Sequence, residues 1–590
     1  MRLSQFVFTW GPGSILESLD GPRVIPAPDI GLFGVMNLTP GDFEISDRRL
    51  TESLLGGSRI FRLPQETEGG RYMTRPFPSW KFCSDRHSYA GRSGFSVVFR
   101  GNSCPLCGGR GAASRFIMAC PQGHMDDVNW AGELHGRGSR RACQQNWFML
   151  LGTGGALSRM VLECPACRAR MPFRDLYDAD LQCTGRYPER ERVGEHTPRE
   201  ECMIPAKIIQ RQASNLRIPV LQTVFSIPPM HTILHNRLEH SPVYHGLVAS
   251  GIILGGRVYR DAFSRSRLET ILRNLVGEGV LREDFMDDIL VCSDEDILKA
   301  IEDVAGCRGG SSYRSLLMEE FRTFIRALDE GIPPLRSERP PSPVLIEVNP
   351  ELGRHVRAAG VEFCVVPVLR LRSITVQRGY LREVGNSPAV MVDVSFRTDS
   401  GVRWYPGIEL FGEGIFITLR NAALINGPEG EDAERWYAAD PLLYPRHLFR
   451  DDETRDELHP GFVLWHTLSH LLIRAISVEA GYPSASLRER VYFEPAGQRS
   501  RGGVLIYAVQ PGSDGTMGGL LSMVPIFDRI MNRALEMLVS CSGDPLCLET
   551  RFQSGHYAGA SCCGCLFISE TSCEHRNMWL DRRVLLSFLT

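Results

Sequence analysis

The sequence predicts an α+β multidomain protein, with a ribbon-like cysteine-rich module near the N-terminus, a helical middle and a mixed α/β C-terminal domain. Three observations lead there. A chain of 590 residues exceeds the size at which one hydrophobic core keeps growing. Its 18 cysteines fall into two clusters with a cysteine-poor middle. Apolar residues are irregular in the first cluster, recur every three or four residues in the middle, and form short runs beyond it.

In order along the chain, residues 1–75 read as a leader segment, in which Gln5–Thr9 is strand-like and Gly11-Pro-Gly13 supplies a turn. Residues 76–228 form the Cys-rich module, whose many Gly, Pro and Arg leave little helical periodicity. The spacing predicts helices over 267–275 and 313–328 within a helical domain, 229–335. The prolines of 332–343 make a stiff linker. A β-rich domain, 344–445, carries strands over 361–372, 389–396 and 414–419. The last domain, 446–590, reads as a helix from Phe462 to Gly481, a strand from Gly503 to Val509, a helix from Asp528 to Ser540, and the second cysteine cluster.

The formal charge of -3 excludes a protein that coats nucleic acid through bulk charge. The cysteines stand at close pair spacings, and no N-terminal apolar stretch with a cleavage site is present. That usage reads as metal ligation in a reducing compartment, with the cytoplasm as the default, rather than as a disulfide framework.

A C-x-x-C turn places two thiolates on one side of a tetrahedral ion and needs a second pair from elsewhere. Cys104-Pro-Leu-Cys107 and Cys164-Pro-Ala-Cys167 are such turns, and Cys83, Cys120, Cys143, Cys183 and Cys202 surround them, with His87 and His124 four residues after Cys83 and Cys120. The preferred grouping joins Cys83 and His87 to Cys104 and Cys107, and leaves the others to share the remaining sites. His135 and His196 read as surface residues. In the C-terminal cluster Cys562, Cys565 and Cys573 form a triad that Cys547, in preference to Cys541, completes, with Cys563 a bystander. Cys292, Cys307 and Cys364 read as core or surface thiols. Two to four structural Zn2+ sites follow, and the fold class becomes a zinc-ribbon-like N-terminal module, a helical middle and a mixed α/β zinc-binding domain.

A catalytic zinc keeps an open position beside a general base. The H-E-x-x-H and H-x-E signatures are missing, as are the Walker phosphate loop and the G-x-S-x-G elbow. No catalytic residue is assigned. His466 and His470 share a helix face and could bind a metal with Glu479, but their apolar neighbours favour a packing role. Arg137, Arg140, Arg141, Arg168 and Arg170, with Arg186, Arg190 and Arg192 beyond, offer phosphate contacts for DNA. The alternative is a solvated arginine surface balanced by Glu189, Glu191, Glu195, Glu200 and Glu201.

His466-Thr-Leu-Ser-His-Leu-Leu-Ile-Arg474, Ser484–Arg490, Gly503–Tyr507, Gly515-Thr-Met-Gly-Gly519 and Cys562-Cys-Gly-Cys565 through Glu574 resemble the helicase-associated zinc-binding domain of MrfA-type repair helicases. Arg2–Gln5 with Gly11–Gly13, Ala119-Cys-Pro-Gln-Gly-His-Met-Asp-Asp127, Ala213–Asn215 with Ser226–Pro229, and Gly412–Phe416 extend the likeness to the DrmB family of the DISARM anti-phage defence system. The chain departs from the family by reading Cys83-Ser-Asp-Arg-His87, without a second cysteine after Cys83. The resemblance implies an accessory subunit, not itself an ATPase, that binds a separate superfamily-two helicase (DrmA-like) and helps it engage or translocate on DNA.

Overall fold

The protein is described from a computed structural model, over residues 2–33, 40–136, 143, 145–152, 159–192, 197–307, 312–333, 344–398, 401–450, 454–496, 499–510 and 519–589. The chain divides into two compact units. One comprises residues 1–37, 63–221 and 376–406, and the other 38–62, 222–375 and 407–590. Most of the leader and Cys-rich segments therefore share a unit with part of the β-rich segment, while residues 38–62 of the leader join the helical segment and the C-terminal residues in the other.

The first unit is built on a six-stranded antiparallel sheet, in the order Arg170–Pro172, Val161–Glu163, Trp147–Leu151, Arg92–Arg100, Trp80–Tyr89 and Ala112–Ala113. One face buries Trp80, Val98, Phe148, Leu150 and Leu162 against Phe116, Trp130 and Phe173. The opposite face buries Phe95, Val97, Phe99 and Met149 beside Cys83 and Cys104, as strand alternation requires. A smaller antiparallel sheet joins Phe116–Ala119 to Met125–Asp126 and to Lys207–Gln210.

Gln5–Thr9 is not a strand: Leu3–Phe8 is a short helix, whose first turn is closed by the Arg2 amide donating to Gln5 Oε1 at 3.0 Å. Phe6 and Val7 are both buried. A strand would have turned these neighbours to opposite faces, whereas a helix turns both inward. The following turn, with Gly11 at φ +127° and Gly13 at +81°, gives its carbonyls to buried side chains. Arg217 donates to Pro12 O (3.0 Å) and Gln377 to Trp10 O (3.3 Å), so this turn packs rather than opens as a phosphate cradle. The strand expected over 389–396 shrinks to the pairs Val392–Asp393 and Phe396–Arg397. Gly385, Asn386, Ser387 and Pro388 precede it, and this turn-rich stretch breaks the ladder early.

In the second unit, helices Ile233–Glu239, Ser241–Ala249, Arg265–Gly277, Glu283–Leu290 and Asp294–Gly306 close around Leu238, Leu247, Leu268, Leu272, Phe285, Ile289 and Ile301. Serine caps start several of them: Ser264, Ser293 and Ser312 each accept from the amide three residues on. Helix Tyr313–Glu330 then lays Phe321 and Phe324 on Phe416, Tyr492 and Leu505 of an antiparallel sheet. In that sheet Phe411–Thr418 pairs with Gly503–Gln510, and Arg499–Gln510 forms a hairpin with Arg488–Ala496.

The other face of the hairpin carries helix Pro460–Ala480, which is buried on nearly all sides. Helices Phe527–Val539 and Arg582–Leu589 complete its surroundings. By length and composition this helix could cross a membrane, but 83% of its apolar window is buried inside the protein, as befits a core helix. Gly502 on the hairpin has no room for a side chain because the Trp465 indole of this helix lies against its Cα. Gly481, at φ +70°, ends the helix in the left-handed conformation.

Candidate metal centres

Among the described residues, five groups of four side chains each bring their ligand atoms within 4.8 Å of one another. Three lie in the first unit and two in the second.

The first group is Cys83, His87, Cys104 and Cys107. Cys83 and His87 come from strand Trp80–Tyr89, where the pairing with Arg92–Arg100 shifts register between them. On a regular strand the two would share a face but stand about 13 Å apart, and the extra residues of this irregularity bring them together. Cys104 and Cys107 come from the loop between Arg92–Arg100 and Ala112–Ala113. His87 Nε2 lies 3.3 Å from Cys83 Sγ, and Cys83 Sγ lies 3.7 Å from Cys107 Sγ. His87 thus stands as the fourth donor of this group.

Cys164 and Cys167 stand in a turn of the same construction, between Val161–Glu163 and Arg170–Pro172. The amide of the first cysteine reaches the carbonyl five residues on at 2.9 Å in each turn (Cys104 to Gly109, Cys164 to Ala169). The residue after the second cysteine is left-handed in both: Gly108 at φ +72° and Arg168 at φ +62°. Cys143 Sγ sits 3.6 Å from Cys164 Sγ, and His135 supplies the fourth donor. This corrects the reading of His135 as a surface residue. Helix Trp130–Gly136 buries Trp130 and Leu134 and so directs His135 inward, where its Nε2 has no hydrogen-bond partner. An orphaned buried nitrogen beside three thiols fits a metal ligand.

The third group is Cys120, His124, Cys183 and Cys202. Cys120-Pro-Gln-Gly-His124 is a tight turn with Gly123 at φ +91°. It points His124 Nδ1 at Cys120 Sγ (3.3 Å) and Cys183 Sγ (3.4 Å). The other ring nitrogen meets Glu200 Oε2 at 3.3 Å, a carboxylate–histidine arrangement that fixes which nitrogen faces the metal.

In the second unit Cys541, Cys547, Cys562 and Cys565 form an all-thiol group. Cys541 Sγ is 3.4 Å from Cys562, Cys547 is 3.7 Å from Cys565, and Cys562 is 3.8 Å from Cys565. A zinc–sulfur length of about 2.3 Å gives tetrahedral edges of about 3.8 Å, so the four sulfurs already stand at zinc-binding spacing. The amides of Gly543 and Gly564 each approach a cysteine sulfur at 3.3 Å. Arg474 of the core helix donates to Phe567 O and Gly564 O (both 3.1 Å), and Asp544 accepts from the Cys541 amide at 2.9 Å.

The expected choice of Cys547 over Cys541 differs from this geometry, in which both thiols stand in the group. Cys573 does not join them. It lies instead beside His466, His470 and Glu489, all buried. Helix Pro460–Ala480 places His466 and His470 one turn apart, toward strand Arg488–Ala496 rather than toward apolar neighbours alone. Glu479 faces away and pairs with Arg529 at 2.6 Å. Cys563 is exposed and, like Cys292, Cys307 and Cys364, belongs to none of the groups.

Of the arginines proposed for DNA contact, Arg137, Arg140 and Arg141 lie outside the described residues, as does His196. Arg168 and Arg170 are described, and with Arg92 they converge on Glu163, whose side chain is 0% exposed. Burial alone would raise the Glu163 carboxyl, but its bonds to Arg170, Arg168 and Arg92 outweigh that and hold it below its ordinary value. Three guanidiniums over one carboxylate leave a net positive surface beside the Cys164–Cys167 turn. Arg186, Arg190 and Arg192 are engaged with Glu191, Glu200 and Asp29. Sequence reading missed Glu163, which carries no signal apart from its arginine partners.

Residues 2–218 match a family described as a domain of unknown function (DUF8724), and residues 468–566 match the MrfA Zn-binding domain. The latter span contains Cys541, Cys547, Cys562 and Cys565. The chain is 27% identical over 531 residues to the DISARM protein DrmB of Bacillus paralicheniformis, covering 87% of this chain and 88% of that protein. Among solved structures, the DUF1998 helicase MrfA bound to DNA aligns with 41% of this chain and 24% of its own, at 10% identity and a TM-score of 0.21. The Cys/His groups fit structural zinc. Residues 468–566 are thus similar to the MrfA Zn-binding domain, and the chain along most of its length is similar to the DISARM protein DrmB.

Proposed function

We propose that this protein is a non-catalytic, zinc-binding accessory subunit of an anti-phage defence system of the DISARM type, acting in the cytoplasm. Its partner is a superfamily-two helicase (DrmA-like), and its role is to support that motor's engagement with DNA or its translocation. The relationship to DrmB over 87% of the chain is the observation that carries this reading.

The metal groups agree with it, because each already offers four protein donors. A zinc filled to four protein ligands has no open position for water or substrate and acts as a fold element. The rival reading, an enzyme built on His466, His470 and Glu479, is disfavoured by the Glu479 ion pair with Arg529.

The test is co-purification with a DrmA-like superfamily-two helicase, then DNA binding and DNA-stimulated ATP hydrolysis by the motor alone and by the pair. A stable complex with tighter DNA binding or faster hydrolysis is expected. Reversing Arg168 and Arg170 to Glu should weaken DNA binding by the pair and flatten its salt dependence. Failure to form a complex overturns the partner assignment.

A further inference from the structure

We propose that His466, His470, Glu489 and Cys573 form a fifth metal site, distinct from the Cys/His groups, holding a divalent ion of the zinc class as a buried staple of the C-terminal core. His466 Nε2 lies 2.9 Å from Glu489 Oε1 and 3.3 Å from Cys573 Sγ, and His470 Nε2 lies 3.2 Å from the same Glu489 oxygen. Around a zinc ion with ordinary bond lengths, tetrahedral edges are about 3.3 Å between nitrogen and oxygen and about 3.5 Å between nitrogen and sulfur. The donor atoms stand close to those spacings.

Surrounding bonds select the metal-binding form of each group. His466 Nδ1 faces Trp579 O at 3.3 Å, and His470 Nδ1 faces Leu566 O at 2.9 Å. A carbonyl only accepts, so both Nδ1 atoms carry hydrogen, and in the neutral rings both Nε2 lone pairs point into the cluster. Cys573 Sγ accepts from the amides of His575 and Asn577, each at 3.3 Å, the pattern that glycine amides make on Cys541 and Cys562. Arg576 and Asn577 adopt left-handed backbone (φ +53° and +59°), which curls those amides onto the sulfur. Ser469 Oγ donates to the second Glu489 oxygen.

Without an ion, two imidazole lone pairs would face a carboxylate oxygen. With a divalent ion, one carboxylate, one thiolate and two neutral imidazoles sum to zero charge, which suits a place where the four side chains are 0–5% exposed. Because every donor is buried and all four positions are filled, the ion has no place for substrate. It ties helix Pro460–Ala480, strand Arg488–Ala496 and the Cys573 turn together.

The experiment is 113Cd NMR and metal analysis of the full-length protein loaded with cadmium. The Cys/His groups supply centres with three or four sulfurs each. The fifth site adds a resonance far upfield of these, as one sulfur, two nitrogens and one oxygen demand, and a fifth equivalent of metal per chain. His470→Asn should remove that resonance and one equivalent while leaving the other signals in place. If H470N proves insoluble, the wild-type spectrum decides alone. A wild-type spectrum without the upfield resonance, or one in which H470N leaves it unchanged, overturns the proposal.

Discussion

Glu239 shows how a single buried carboxyl makes stability depend on pH. It lies at the end of helix Ile233–Glu239, accepts from the Arg48 amide at 3.0 Å, and has 8% of its surface exposed. Burial pushes its pKa up to about 7, and the nearby charge of Asp47 adds to the rise. Between its ordinary value of 4.5 and about 7 the folded protein therefore holds a proton that the unfolded chain has released. Stability from this residue is complete below that window and is lost as pH rises through it. Glu239→Gln keeps an acceptor for the Arg48 amide and removes the charge. The variant should be more stable than the parent by about 1–3 kcal/mol at pH 8.5 and nearly equal to it at pH 4.5, as read from thermal unfolding at both values. An equal effect at the two pH values would place the cause elsewhere.

Between elements, Glu320 of helix Tyr313–Glu330 makes a fully buried polar tie. Its carboxylate accepts from the Phe225 amide (2.8 Å), Arg490 (2.8 Å) and the Tyr492 hydroxyl (3.0 Å), with Glu320 and Arg490 side chains both 0% exposed. Removing one member strands the others without water, so Glu320→Ala should cost about 3–5 kcal/mol in chemical denaturation, and Glu320→Gln distinctly less. A loss below about 1 kcal/mol for the alanine variant would show that Glu574, the second carboxylate on Arg490, suffices. This helix was legible in the sequence because its apolar spacing spans five turns. The leader was not, since the three-residue apolar run Phe6-Val7-Phe8 satisfies a strand and a helix equally. The two C-x-x-C turns were legible because both ligands are local. His135, Cys541 and the partnership of Cys573 with Glu489 were not, because they depend on helix direction and strand pairing across long sequence separations.

At the scale of the whole molecule, the two units draw on metal and on hydrophobic core in different proportions. The second holds the large core around helix Pro460–Ala480 and a separate helical core. The first carries three metal groups in its share of the chain, and each of its hydrophobic clusters is smaller than the core around helix Pro460–Ala480. A structural zinc contributes about 10–16 kcal/mol of binding free energy, which matches or exceeds the net stability of an ordinary domain. Chelation should therefore unfold the first unit before the second. Limited proteolysis followed by mass spectrometry, with a colorimetric measure of zinc release, gives the order. Cleavage is expected first between residues 80 and 210, at chelator concentrations where the segments 230–305 and 460–510 remain protected. Restoring zinc should return protection to the first unit if the thiols are kept reduced, because the same cysteines are needed as thiolates. Cleavage that begins within 230–305 while zinc is still bound would show that the helical core, and not metal, sets the weakest point of the molecule.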